Sequence, residues 1–344
     1  MKGQMKTEKT FYLTVLNVLS CFSVVMIHCN GIFWTAPTEN VWISANLIET
    51  IFYFAVPVFF MVSGCTLFDY QQRYSTKEYF HKRFWKTVFP FLIWSLLAYV
   101  NQMRIVMRDG GTLDYNPVHI LDGILNVKYM QVYWFFIPLF GVYLSIPVLA
   151  SIKDKMKAFS YGSVLGIFFV SVMPLVSKLF HVPFNGGITP GAVSGYLFVC
   201  MLGYVLANKE YSIRERRCIY ILAFIGWGLH FFGTLYLSEP GNIDNTFKGY
   251  LNLPAVLQVM GVFVFVKYHD IRNSHIRKWI FWLSGRTLGI YLIHMYIIGA
   301  LSKILRADTA SLGWRTGGAV LVFVSSAIVV WGIQKISGVK KLVP

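Results

Sequence analysis

Ten stretches of this 344-residue chain are apolar for long enough to cross a lipid bilayer, and that feature decides what it can fold into. They cover residues 11–33, 43–68, 86–102, 131–152, 158–178, 191–207, 218–238, 249–267, 279–302 and 314–334. Hydrocarbon offers no water to backbone N–H and C=O groups, so a spanning segment must bond internally, and runs of this length do so as helices. The predicted fold class is therefore all-α: a polytopic integral membrane protein with about ten transmembrane helices. Composition agrees, since 56% of residues are hydrophobic, 13% are charged and mean hydropathy is +0.56. The connectors are short, which leaves residues 1–344 as one transmembrane unit without room for a second soluble domain. Its one sizeable outer loop is 103–130, with Gly110, Gly111, Pro117, Asp109, Asp114 and Asp122. The first stretch does not read as a cleavable leader, because no small-x-small site ends it before Trp34.

The charge balance is strongly basic, with 31 Lys and Arg against 15 Asp and Glu, a net of +16. Taken alone it would suggest a nucleic-acid binder. Position excludes that reading. Lys2, Lys6 and Lys9 precede the first stretch, and Arg73, Lys77, Lys82, Arg83 and Lys86 fill the second connector. Lys153, Lys155 and Lys157 follow in the fourth, Lys209, Arg214, Arg216 and Arg217 in the sixth, and Lys267, Arg272, Arg277 and Lys278 in the eighth. Lys335, Lys340 and Lys341 close the chain, which makes 22 cations on one side. The opposite connectors carry eight: Arg104, Arg108, Lys128, Lys178, Lys248, Lys303, Arg306 and Arg315. Such alternation marks the cytoplasmic face of a multi-pass protein and predicts cytoplasmic N- and C-termini in a cell membrane.

An ionisable side chain inside a span is costly unless it is paired or faces a wet cavity, so each one is a functional candidate. His28 and Glu49 fall at similar depth in the first two, antiparallel, stretches. A carboxylate that orients the imidazole would make His28 a general base for a hydroxyl. Helix-to-helix hydrogen bonding is the ordinary alternative for a membrane histidine, and pairing with a nearby cation or a place in interfacial water is the alternative for Glu49. His294 lies in the outer half of the ninth stretch, with Arg286 two turns below it. Asn17, Asn46, Tyr291 and His230 add polarity elsewhere, and His230 reads as structural.

At the start of the third stretch, Lys82, Arg83 and Lys86 occupy i, i+1 and i+4, which places Lys82 and Lys86 on one helical face. The cluster suits the phosphates of a cytosolic cofactor, or the anionic lipids that such anchors commonly meet. Ser63 and Gly64 follow a proline-containing run from Val56 to Val62, where the helix loosens and another backbone can come close. No Ser-His-Asp spacing singles out Ser63 as a nucleophile. Gly285 and Gly289 form a GxxxG in the ninth stretch, which reads as close packing. Five scattered cysteines without CxxC spacing fit packing better than a disulfide framework or a zinc site, and no metal is expected.

At these residues the chain resembles the membrane acyltransferase family called acyltransferase type 3, which O-acylates sugars of surface glycans and related molecules. Leu16-Asn17-Val18-Leu19 through Val24-Val25-Met26-Ile27-His28 is similar to the family's first helix, which ends in its catalytic histidine. Phe59-Phe60-Met61-Val62-Ser63-Gly64 resembles its Phe-Phe-x-x-Ser-Gly stretch. Lys82-Arg83-Phe84-Trp85-Lys86 with Phe89-Pro90 resembles its acyl-CoA-binding basic segment. Tyr133-Trp134-Phe135-Phe136 with Tyr143 and Pro147, and Gly289-Ile290-Tyr291-Leu292-Ile293-His294, resemble later motifs. Asn17 stands where the family commonly has an arginine, and Lys86 where it has the second arginine of Arg-x-x-Arg.

The resemblance implies an enzyme that moves an acyl group, acetyl by expectation, from cytosolic acyl-CoA to a sugar hydroxyl of a surface or lipid-linked glycan. His28 and Glu49 would be catalytic, and Lys82, Arg83 and Lys86 would hold the donor. Asn17, Ser63, Arg286, Tyr291 and His294 would line the substrate path. Membrane lipids and the glycan acceptor are the expected partners, and nucleic acid is not. Two other classes use the same buried polar residues: a flippase or exporter of a glycan or lipid-linked sugar, and a non-catalytic acyltransferase-like scaffold.

Overall fold

A computed structural model describes residues 10–36, 38–112 and 115–344. Lys2, Lys6, Lys9 and Asp114 lie outside the described residues. All ten apolar stretches fold as helix, and no strand occurs among the described residues, so the chain is an all-α polytopic membrane protein. Eight helical runs are long and apolar enough to cross a membrane: Phe11–Thr35, Glu39–Gln72, Thr76–Arg108, Gln131–Ala150, Lys155–Leu179, Ile213–Leu237, Thr287–Ile304 and Trp314–Lys335.

The other two are the shorter helices Leu197–Asn208 and Leu253–Tyr268. At 1.5 Å per residue they reach only about 18 and 24 Å. The first is short because Gly195 has φ +55°, a left-handed conformation that cannot be part of the helix, so α-helix begins only at Leu197. The second begins at Leu253 with Pro254 in its first turn, where the missing N–H costs nothing.

Several runs are not single straight helices, and the interruptions shape the site. The first is α1 (Phe11–Cys29). The second divides into α2 (Glu39–Phe52) and α3 (Ala55–Leu67). Pro57 cannot donate the bond that a continuous helix would send to Tyr53, and the chain bends there. The third starts as α4 (Thr76–Arg83), capped by the Ser75 hydroxyl, which accepts from the Glu78 N–H at 3.3 Å. It passes through a wide π-turn at Phe84–Val88 into α5 (Phe89–Arg108).

The 103–130 segment is thus partly helical, since α5 extends to Arg108 and α6 covers Pro117–Leu125. Within it Asp122 bonds Lys128 at 2.5 Å and Asn126 at 2.6 Å, and those bonds hold its carboxyl below the usual carboxylate range. A 3₁₀ turn at Gln131–Phe135 leads to α7 (Phe136–Ala150). The fifth run is α8 (Lys155–Gly166), a π-turn at Ile167–Val172, and α9 (Met173–Leu179). Then come α10 (Leu197–Asn208), α11 (Ile213–Leu237) and α12 (Leu253–Tyr268).

The stretch read as 279–302 is two elements. Helix α13 (Ser274–Ser284) ends at Gly285, and α14 (Thr287–Ile304) begins after Arg286. Gly285 and Gly289 therefore do not share one helix. Gly289 does pack closely, since a Cβ there would meet Val330 at 2.7 Å. The last run is a π-turn at Trp314–Gly318 and α15 (Ala319–Lys335).

Helices α3 and α10 cross at the closest approach. A Cβ on Gly64 would lie 2.1 Å from the Cys200 carbonyl oxygen, and one on Gly203 would lie 2.5 Å from Met61 Cα. The Cys65 thiol donates to the Gly203 carbonyl at 3.2 Å across the same contact. Small residues let two backbones meet in this way, which is how helices associate without a hydrophobic driving force. All five cysteines are free.

Candidate active site

The site begins with a cavity of about 390 Å³ walled by α1, α3, α7, α14 and the π-turn after α4. Five residues singled out in the sequence line it: Asn17, Ser63, Arg83, Lys86 and Tyr291. Arg83 and Lys86 supply the cations of its lining. The π-turn at Phe84–Val88 adds a residue to one helical turn, so the i, i+4 relation between Lys82 and Lys86 is lost. Lys86 and Thr87 line the cavity beside Arg83, whereas Lys82 pairs with Glu78 at 2.7 Å and lies 4.0 Å over the Tyr74 ring. The expected common face of Lys82 and Lys86 is corrected accordingly. Arg83 is held against Tyr143, its guanidinium 5.5 Å from that ring.

The middle of the cavity is polar on one side. The Asn17 amide donates to the Thr287 hydroxyl at 3.0 Å, which ties α1 to the first turn of α14. Ser63 turns its hydroxyl back to the Phe59 carbonyl at 2.9 Å. Arg286 is not inside a span as the ninth stretch suggested. It caps α14 at the break, donates to the Trp282 carbonyl and stacks 4.0 Å over the Trp282 ring, outside the cavity lining.

Tyr291 also lines the cavity. Its hydroxyl donates to the Val132 carbonyl, and the Tyr133 hydroxyl donates to the Leu292 carbonyl at 2.7 Å. Two reciprocal bonds thus pin α14 to the Gln131–Phe135 turn, and they join two of the sequence motifs noted above. Behind Tyr291, whose ring centroid is 5.7 Å from that of His294, lies a pair of histidines.

His28 Nδ1 and His294 Nε2 are 2.7 Å apart, with ring planes 18° from parallel. His294 Nδ1 faces the carbonyls of Tyr291 at 2.6 Å and Ile290 at 3.2 Å. A carbonyl only accepts, so Nδ1 of His294 carries the proton and its Nε2 presents a lone pair. That lone pair accepts from His28 Nδ1–H. His28 Nε2 is left with the free lone pair of the chain. His294 is fully buried, while His28 is half-buried. The pair is therefore an oriented base with its working nitrogen on the more accessible ring.

Glu49 does not orient His28. Its carboxylate accepts from Lys248 at 3.1 Å, and both side chains are almost wholly enclosed, at 2% and 1% exposure. Lys248 also lies 4.1 Å from the Tyr53 ring and 4.4 Å from the Phe33 ring. A carboxylate buried in a membrane protein recruits the nearest cation that can neutralise it, and Lys248 reaches it from the 238–252 connector where imidazole does not. His230 is fully buried with its ring edge-on to Tyr53 at 4.6 Å, and neither ring nitrogen has a hydrogen-bond partner among the described residues, so the helix-to-helix bond expected of a structural histidine is not made.

Three contributors escaped the sequence reading: Thr287, Lys248 as the partner of Glu49, and His294 as the group that orients His28. The second had a visible signal. A lone acid in an apolar run requires a counter-charge, and Lys248 directly precedes the 249–267 stretch. The third did not, because residues 266 positions apart come together only through packing.

Comparison with curated proteins found no match, and comparison with solved structures found none either. The family model described as an acyltransferase domain matches residues 11–332, which takes in the cavity residues from Asn17 to Tyr291, the histidine pair and the spanning runs except the end of the last. The chain thus belongs to the acyltransferase type 3 family of membrane acyltransferases.

Proposed function

We propose that the protein transfers an acyl group, acetyl by preference, from cytosolic acyl-CoA to a sugar hydroxyl of a surface or lipid-linked glycan. The observation that carries this reading is a shared lining: Arg83, Lys86 and Tyr291 wall one cavity, and His294 of the histidine pair, outside that lining, has its ring centroid 5.7 Å from that of Tyr291. A CoA ester matches that polarity. Its phosphates suit the guanidinium and ammonium groups, and its slim thioester arm suits the apolar walls of Val62, Leu139 and Leu288. Asn17 in the place of the family arginine leaves phosphate binding to Arg83 and Lys86, with Lys82 engaged by Glu78.

His28 Nε2 takes the proton of the acceptor hydroxyl as its oxygen attacks the thioester carbonyl. The carbon–sulfur bond breaks, the ester forms, and the CoA thiolate recovers the proton from the imidazolium. His294 fixes the tautomer that makes this possible and shares the charge that develops on His28. A covalent acyl-histidine would use the same nitrogen and is distinguished by acid quenching and mass measurement of the peptide bearing His28. The excess of cations on alternate connectors supports cytoplasmic termini, with Arg83 and Lys86 on the donor's side of a cell membrane.

The test is equilibrium binding of acetyl-CoA to the purified full-length chain, followed by transfer to sugar acceptors. Binding that falls with Arg83→Ala and Lys86→Ala, together with turnover, supports the reading. Glycan movement across vesicles without consumption of acetyl-CoA would replace it with an exporter. Acetyl-CoA binding without turnover on any sugar acceptor would leave a scaffold.

A further inference from the structure

No residue of helix α13 is fully buried, although it packs on α1 through Phe281 against Phe11, with ring centroids 5.0 Å apart. It runs beside α15, and the two enclose a groove of about 830 Å³. Phe323 and Ala327 form the buried floor, and Val324, Ile328, Trp279 and Trp331 form exposed walls. At one end His275 and Lys278 line the same groove, and Lys335 lies 5.7 Å over the Trp331 ring.

The charge around this groove is one-sided. Residues 271–307 and 309–344 contain no Asp or Glu at all. The neighbouring Arg277 is paired with Asp270 at 3.0 Å. Lys278 and Lys335 enter none of the ion pairs among the described residues. An apolar trough on the outside of a spanning helix, with free cations at its end, matches a ligand that is apolar along its length and anionic at its head. Flanking tryptophans suit the level of a lipid headgroup.

We propose that this groove binds one anionic glycerophospholipid, with an acyl chain against Phe323, Val324, Ala327 and Ile328 and its phosphate at Lys278. Lys335 adds to the attraction, and burial of the acyl chain supplies the rest. Leu283 lines the groove while the next residues, Ser284 and Gly285, line the cavity of the candidate active site. A bound lipid therefore braces the segment that separates the two. The proposal does not depend on acyl transfer.

Because Trp279, Trp282 and Trp331 line the groove, a lipid brominated along its acyl chains quenches their fluorescence. The full-length protein in uncharged detergent is titrated with brominated phosphatidylglycerol and, separately, with brominated phosphatidylcholine. Phosphatidylglycerol is expected to quench at concentrations about fivefold lower or less, the effect of roughly one well-placed cation. Lys278→Ala should remove that preference and leave the phosphatidylcholine curve in place. Replacing the two exposed tryptophans, Trp279→Phe with Trp331→Phe, should weaken the phosphatidylglycerol-specific signal and leave only the part that half-buried Trp282 reports. All three positions are exposed, so folding is not at stake. Equal quenching by the two lipids would overturn the proposal. So would a preference that survives Lys278→Ala, or a specific signal undiminished by loss of the two exposed tryptophans. Full displacement of the lipid by inorganic phosphate would overturn it too, by making the site one for a free anion.

Discussion

Two regions of the molecule treat charge oppositely. Around Glu49 the charges are closed off: the carboxylate meets Lys248 at 3.1 Å, aromatic rings flank the ammonium, and both side chains are shielded from solvent. Around Arg83 and Lys86 the cations line an open cavity, and neither enters an ion pair among the described residues. The residue types are nearly the same. What differs is whether a counter-charge is supplied by the chain or left to a ligand. A pair neutralised within the chain holds its elements together, whereas cations that line a cavity are set for an anionic group that arrives from outside.

The largest effect expected from breaking this contrast is on stability. Lys248→Met leaves the Glu49 carboxylate buried without its partner, at a cost of about 3–5 kcal/mol. Thermal unfolding in detergent should show it, and the double variant with Glu49→Gln should recover most of the loss. If Lys248→Met instead abolished turnover at unchanged stability, the pair would belong to the chemistry.

At the open end the effect should fall on ligand affinity. Arg83→Ala and Lys86→Ala are each expected to weaken acetyl-CoA binding by about 1.5–3 kcal/mol, the worth of a charge-assisted hydrogen bond, without lowering the unfolding temperature. Calorimetric titration measures this directly. Gly64→Val tests the framework between the two regions. It sets a side chain against the Cys200 backbone and should cost about 1–3 kcal/mol of stability through forced separation of α3 and α10. The smallest effect is the sharpest control. Lys82→Ala removes a cation one residue from Arg83, yet its surface pair with Glu78 should make it worth no more than about 0.5 kcal/mol in donor binding.

Much of the fold was legible because hydropathy is a direct statement about solvent. Every apolar stretch became helix, and the tight contact at Gly64 followed from residue size. Breaks inside those stretches were harder to see. Pro57 bends the second run visibly, but nothing in Gly285-Arg286 alone separates a packing glycine from a helix end. The π-turn at Phe84–Val88 has no composition signal, and it is what turns Lys86 toward the cavity and leaves Lys82 outside. Depth in a span brought His28 and His294 into view separately, yet the choice of partner for His28 depended on packing. The carboxylate at similar depth was the reasonable expectation, and it had a nearer cation.

The central claim is that His28 is the base of a transfer reaction whose donor sits at Arg83 and Lys86. It is tested most directly by transfer of labelled acetyl from acetyl-CoA to a glycan acceptor, with wild-type protein and His28→Ala compared at equal acetyl-CoA occupancy. The account predicts that His28→Ala binds acetyl-CoA as wild type does and loses about 10²–10⁴-fold in rate. Transfer that continues within tenfold of wild type would contradict it.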